Sequence, residues 1–153
     1  MKTRQSSILL NQFDKKIEPL KSVESSMPAE GWLYTLRKIL NIPLASLGKK
    51  LNMTAQGVKE LEKREANGSV TLNSLREAAN AMDMKLVYGF VPKDGSLEKL
   101  IERKALEVAR EIVFRTSNSM ILEDQGNSEG RLTKAINEKA FQLKQEMPKY
   151  LWD

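Results

Sequence analysis

The spacing of apolar residues divides most of the chain into amphipathic helices, interrupted once by a different rhythm. Leu9, Phe13, Ile17 and Leu20 recur at helical spacing with Lys15, Lys16 and Glu18 between them. Pro19 is expected to end that helix ahead of a Ser-, Pro- and Gly-containing linker over residues 22–31. Trp32, Leu36, Ile39 and Leu40 share one face of a second helix, which Asn41 and Pro43 interrupt. Pro43, with its preset φ, suits the first turn of a third helix over 44–51. Asn52 and Met53 then lead to Thr54, whose hydroxyl can accept from the free N–H groups at the start of a fourth helix running from 55 to about 65. Asn67 and Gly68 stop it, and Leu72, Leu75, Ala78, Ala79 and Met82 line a fifth helix over 72–82.

The period changes at residues 85–92. Leu86, Val87, Tyr88, Phe90 and Val91 are apolar, β-branched or aromatic, and Pro92 closes the run, which reads as a short strand. A single strand leaves its backbone donors and acceptors unpaired, and no second stretch of comparable quality follows. The simplest partner is the same strand of a second copy, so a two-fold homodimer with an antiparallel ribbon over 85–91 is expected. Beyond it, Leu97, Leu100, Ile101, Ala105, Val108, Ala109 and Ile112 trace a long helix, and Leu132, Ala135, Ile136, Ala140, Leu143 and Met147 trace another, with Ser119 to Gly130 between them ending in a Gly-containing polar loop. The expected organisation is mainly α: an N-terminal amphipathic helix and linker over 1–27, a helical domain over 28–84, a dimerisation strand over 85–92 and a helical extension over 93–153.

Composition narrows the chemistry. With 153 residues and 41% apolar content the chain can bury one ordinary core, or a small domain with helical extensions. No run of about 18 apolar residues suggests a membrane span, and no leader pattern is evident, so a cytoplasmic location is expected. Cysteine and histidine are both absent, which removes thiolate and imidazole metal ligands and every Ser-His or Cys-His nucleophile arrangement. Neither an enzyme nor a cofactor is expected. The net charge is +5, and it is uneven: residues 1–27 carry five basic and three acidic side chains, residues 28–92 nine and six, and residues 93–153 eleven of each. The surplus lies in the first 92 residues, where it serves solubility as readily as docking to a polyanion.

The most informative stretch is 44–63. Two helices separated by a three- to four-residue turn cross steeply. Ala45 and Gly48 permit close approach, Leu47, Leu51, Val58 and Leu61 fill the wedge, and Met53 plugs the turn. Ala55, Gln56, Lys59, Glu60 and Lys63 are then left on the outer side of the second helix of the pair. Short and amide side chains near its N-terminus suit base-edge reading in the major groove, since Gln pairs with adenine and Ala packs on a thymine methyl. The alternative is an ordinary helical hairpin with a solvated face.

Over residues 32–82 the chain resembles the phage-repressor (Cro/CI, XRE-type) helix-turn-helix family, through Leu44, Ala45, Leu47, Gly48, Leu51, Asn52, Met53, Thr54, Val58, Leu61 and Glu62. The resemblance implies base reading by Ala55, Gln56, Lys59 and Glu60. It implies phosphate contacts at Leu44, through its backbone, and at Thr54, Lys63, Arg64 and Asn67. Two departures stand out: Ala55 replaces the usual glutamine, and Gly57 sits inside the helix at a cost of about 1 kcal/mol relative to alanine. Lys2 and Arg4 are further expected phosphate contacts.

Across nearly its whole length the chain is also similar to the mobile mystery protein A family, through its N-terminal helix, the Pro28, Ala29, Glu30, Gly31, Trp32 stretch, residues 86–92 and 119–125, and Leu151-Trp152. That resemblance implies an antitoxin-like regulator that represses its own operon and is paired with a Fic-domain toxin. A direct Fic-restraining element of the Ser/Thr-x-x-x-Glu-Gly/Asn kind fits Ser26 to Glu30 and Gly31 on paper, but Pro28 and Gly31 disfavour the helix it requires. Ser119 and Glu123 fit in part, with Asp124 where Gly or Asn is needed. Asp94, Glu98, Glu102, Glu123 and Asp124 read as a charge-laced solvated face and not as a metal site. Trp32 and Trp152 read as core or docking anchors. The expected function is a sequence-specific regulator that binds a pseudo-palindromic duplex as a homodimer. The rival is a protein-interaction module acting through helices 97–115 and 132–147.

Overall fold

Apolar periodicity near 3.6 dominates the sequence, and in a computed structural model, which describes residues 2–124 and 129–153, the chain is mainly helical with no strand among the described residues. The helices are α1 (Lys2–Ile17), α2 (Leu20–Ser25), α3 (Trp32–Ile39), α4 (Leu44–Leu51), α5 (Ala55–Asn67), α6 (Leu72–Ala81), α7 (Leu97–Asp124) and α8 (Glu129–Glu146), with a terminal 3-10 turn, Lys149–Trp152. No described helix is long and apolar enough to cross a membrane. Two units form: a central one of residues 21–89, and a terminal one assembled from both chain ends, residues 1–20 and 90–153.

The central unit is built on Leu33, Leu47, Val58, Leu61, Ala78 and Met82, with Leu36, Leu44, Leu51 and Val70 packed against them. Each fully buried Leu or Val contributes roughly 1.5–3 kcal/mol relative to exposure. Its helix ends are closed locally. Thr54 Oγ1 accepts from the Gly57 N–H at 3.0 Å and Thr71 Oγ1 from the Ser74 N–H at 3.1 Å, each satisfying a donor that a helix leaves free. At the far end of α5, Gly68 takes a left-handed φ of 83°. The N–H groups of Gly68 and Ser69 thereby turn back onto the Glu65 and Arg64 carbonyls at 3.2 and 2.9 Å.

In the terminal unit, Ile101, Ala105 and Ala109 of α7 are buried with Leu143 of α8 and Leu151 of the final turn. Alanines four apart let α8 approach closely. Asp14 on α1 accepts from the Leu97 and Glu98 N–H groups at 2.7 and 3.3 Å, so a residue 83 positions away caps α7. Arg103 clasps Asp94 at 2.8 and 3.1 Å and reaches Glu107 at 3.0 Å, which holds the Asp94 carboxyl below its ordinary value and raises the Arg103 guanidinium. Lys144 donates to Glu102 at 2.8 Å and Glu98 at 3.0 Å, and these bonds raise its pKa.

Several expectations are corrected. Pro19 ends α1, but the linker begins with a helix of its own, α2. The inward face of α3 is Leu33 with Leu36 and Arg37, whereas Trp32, Leu40 and the 72% exposed Ile39 point outward. Ala45 is exposed, and Gly48 alone makes the close approach. Trp152 is exposed while its neighbour Leu151 is buried, so of the core and docking readings only the core one is overturned. α7 continues into the connecting segment as far as Asp124, and residues 125–128, where the polar loop is expected, lie outside the described residues. The N-terminal helix belongs with residues 90–153 and does not form a separate segment with a linker. Residues 84–92 have no regular structure. Leu86, Val87, Tyr88, Phe90 and Val91 form no strand because a single chain offers their backbone no partner.

Candidate nucleic-acid interface

α4 and α5 are joined by three residues, 52–54. Asn52 adopts a left-handed φ of 55°, which asparagine tolerates better than most residues, and the Met53 N–H returns to the Gly48 carbonyl at 2.9 Å. A Cβ at Gly48 would stand 2.6 Å from the Met53 carbonyl oxygen, so the turn lies directly on α4 at a point where only glycine fits. Leu47, Val58 and Leu61 fill the wedge as expected, Leu51 is half-buried, and Met53 covers the turn while remaining partly exposed.

Burying Val58, Leu61 and Glu62 fixes the rotation of α5 about its axis. Ala55, Gln56, Lys59, Glu60, Lys63, Arg64 and Asn67 are all exposed as a result. Gln56 donates its amide nitrogen to Glu60 at 3.1 Å. The Asn67 side-chain oxygen accepts from the Ser69 N–H and hydroxyl at 3.0 and 2.6 Å, which leaves its nitrogen to donate outward. Thr54 uses its oxygen as the cap of α5 and keeps its hydroxyl hydrogen. Neither α4 nor α5 has an acidic side chain in its first turn, so the free N–H groups at both starts keep their positive potential. The Leu44 side chain packs on the core, leaving its backbone at the start of α4. Arg4 is exposed on α1 in the terminal unit, and the Lys2 side chain lies outside the described residues.

In the terminal unit Arg103, Lys104, Arg115 and Lys144 all have carboxylate partners. Among the described residues of the central unit, Lys59, Lys63 and Arg64 have no carboxylate partner, and the buried ion pair there is Arg37 with Glu62. Three uncompensated cations on one helix face, beside an amide and a methyl, make a surface suited to an anion that also carries hydrogen-bonding edges.

Other members of the constellation are Arg37, Glu62 and Glu65. Arg37 is buried on α3 and pairs with Glu62 on α5 through two bonds, while its third nitrogen donates to the Ile42 carbonyl at 3.1 Å. Glu65 accepts from the Trp32 and Leu33 N–H groups at 2.9 and 2.7 Å, capping α3 from a neighbouring helix. The available signal was periodicity: Arg37 falls four residues after Leu33, and Glu62 and Glu65 continue the Val58 and Leu61 row.

The other singled-out groups do not come together. Residues 26–31 are not helical, so Ser26 and Glu30 do not form the helical inhibitory element. Ser119, Glu123 and Asp124 have side chains outside the described residues. Glu98 and Glu102 are taken up by Lys144 and Asp94 by Arg103, and no acidic cluster suited to a metal ion exists among the described residues. No family model, curated protein or solved structure matches the chain.

Proposed function

We propose that this protein is a sequence-specific double-stranded DNA-binding transcription regulator, in which α4, the turn and α5 act as a helix-turn-helix and α5 enters the major groove. The observation that carries the reading is the exposed row on α5, where Lys59, Lys63 and Arg64 have no carboxylate partner and flank Ala55 and Gln56. Phosphate contacts from Lys63, Arg64, Thr54, Asn67 and the start of α4 supply salt-dependent affinity, and Gln56 and Lys59 supply most of the base selectivity. No catalysis and no cofactor enter this mechanism. Occupying a promoter is enough.

The regulator acts as a homodimer, with residues 85–91 of two copies pairing as an antiparallel ribbon. Val87 and Phe90 are 78% and 86% exposed, and among the described residues no backbone hydrogen bond joins residues 85–91 to the rest of the chain. Two reading helices would then address successive major-groove turns about 34 Å apart. Autorepression and pairing with a Fic-domain toxin rest on the sequence resemblance alone.

The deciding experiment is fluorescence anisotropy of the full chain, titrated with salt, on its own upstream DNA and on a scrambled duplex of equal length. Binding at least about a thousandfold tighter to its own DNA near physiological salt is the expected result. Equal binding that collapses together as salt rises would reduce the surface to a generic basic face. It would also favour the protein-interaction reading.

A further inference from the structure

Gln56 and Glu60 stand one turn apart on the exposed face of α5, and the Gln56 amide nitrogen donates to the Glu60 carboxylate at 3.1 Å. A glutamine amide is nearly symmetric in shape, so a half-turn about its last side-chain bond exchanges oxygen for nitrogen. Facing a carboxylate it loses that freedom. A carboxylate only accepts, and the turned amide would set oxygen against oxygen. The nitrogen end is held toward Glu60 and the oxygen end away from it, while the nitrogen keeps a second hydrogen. An amide fixed in this sense offers an acceptor and a donor in fixed order, the pattern that the N6 amino group and N7 of adenine meet in the major groove.

A second observation separates this pair from an ordinary surface contact. Lys63 and Arg64 lie three and four residues beyond Glu60, the positions at which a glutamate usually finds a cation on a helix. Neither is paired with it among the described residues. The carboxylate is committed to the amide, and both cations stay available to phosphate.

We infer that Glu60 is a positioning residue for base reading: its carboxylate fixes which way the Gln56 amide faces and so makes adenine the base that Gln56 selects. This deepens the DNA-reading role proposed for α5 and rests on it. Glu60 also places a negative charge near the DNA backbone, so its removal raises affinity for every duplex while lowering selectivity at one base pair.

The test selects duplexes with the full chain from a pool whose randomised core spans about two helical turns, roughly 20 base pairs. The preferred duplex, and the same duplex with the adenine-bearing pair changed, are then titrated with wild type, Gln56→Ala, Glu60→Ala and Glu60→Gln. Glu60→Ala is expected to lose about tenfold of the discrimination at that pair while binding both duplexes more tightly. Glu60→Gln, whose own amide can turn to donate to the Gln56 oxygen as readily as its carbonyl accepts from the Gln56 nitrogen, no longer fixes the amide and loses part of the same discrimination. If Gln56→Ala loses discrimination and Glu60→Ala does not, this inference is overturned and the DNA-reading role stands. Loss in Glu60→Gln confined to a different base pair also overturns it, because Glu60 then reads a base itself. If Gln56→Ala discriminates as wild type does, or wild type selects no sequence, the DNA-reading role of α5 fails and the positioning role with it.

Discussion

Arg37 on α3 and Glu62 on α5 face each other inside the central unit, both nearly inaccessible to water and joined by two hydrogen bonds. Withdrawing both charges from water costs several kcal/mol per ion, and the pair offsets this only while both partners are present. Glu62→Ala should therefore destabilise the central unit by about 3–5 kcal/mol, because Arg37 is left buried and unpaired. Replacing the pair together, as Arg37→Met with Glu62→Leu, should be nearly neutral. Urea titrations read by Trp32 fluorescence in a Trp152→Phe background test this, and equal losses in the single and double variants would refute it.

Gly48 and Gly57 should respond oppositely to alanine. At Gly48 the new methyl would meet a backbone oxygen at 2.6 Å, so the turn has to move and a loss of about 1–3 kcal/mol is expected. At Gly57 the nearest atoms are the Met53 Cβ at 3.3 Å and the Thr54 Oγ1 at 3.4 Å, so the turn has to give by only a few tenths of an ångström, which alanine's gain of up to about 1 kcal/mol in helix propensity offsets. Thermal melts should show a clearly lowered midpoint for Gly48→Ala and an unchanged or raised one for Gly57→Ala, and equal losses in the two would refute the account.

The terminal unit should lose stability at both pH extremes for identifiable reasons. Asp94 is held below its ordinary value of 3.8, chiefly by its hydrogen bond from Arg103, so its contribution is complete above that value and lost as pH falls through the lower folded value. Lys144 is raised above 10.5, chiefly by its bond to Glu102, so its contribution is complete below 10.5 and lost as pH rises through the folded value. Asp94→Asn should flatten the acid limb and Lys144→Met the alkaline limb of a stability profile. A variant that leaves its limb unchanged would remove that pair from the account.

Lys63 and Lys59 should separate in their effects on DNA. Lys63→Ala should weaken binding about equally on all sequences and reduce the salt slope by about 1. Lys59→Ala should act mainly on the preferred duplex. Anisotropy at several salt concentrations distinguishes a phosphate contact from a base contact in each case.

Val87→Pro removes a ladder donor from the exposed segment without disturbing a buried contact. Sedimentation should then give monomers, and operator affinity should fall with the loss of the second reading helix. A persistent dimer would move the interface elsewhere.

The helices of the central unit were legible because Leu47, Val58 and Leu61 obey one period and because Thr54 and Gly68 mark the ends of α5. The outward row from Ala55 to Lys63 followed from the same period. α3 was misread where Trp32 and Ile39, both large and apolar, outweighed Leu33, while the buried partner on that face was a charged residue. A pattern of apolar positions cannot register an arginine that is buried by virtue of a glutamate 25 residues away. The docking of α1 was hidden for a related reason: its tie to α7 runs through Asp14 and two backbone N–H groups, a polar contact between distant positions.

That contact also sets an order in time. Asp14 is synthesised ahead of the backbone groups it caps, which lie 83 and 84 positions later. The residues of the central unit fall between, so they can fold during synthesis while α1 still lacks α7. Translation adds about 5–20 residues per second, which leaves α1 waiting on the order of several seconds. During that interval Leu10, destined for the terminal core, and its neighbours Leu9 and Phe13 have no neighbours from their own unit to cover them. The pace of synthesis through residues 21–96 thus sets how long that apolar face waits for its partner helix.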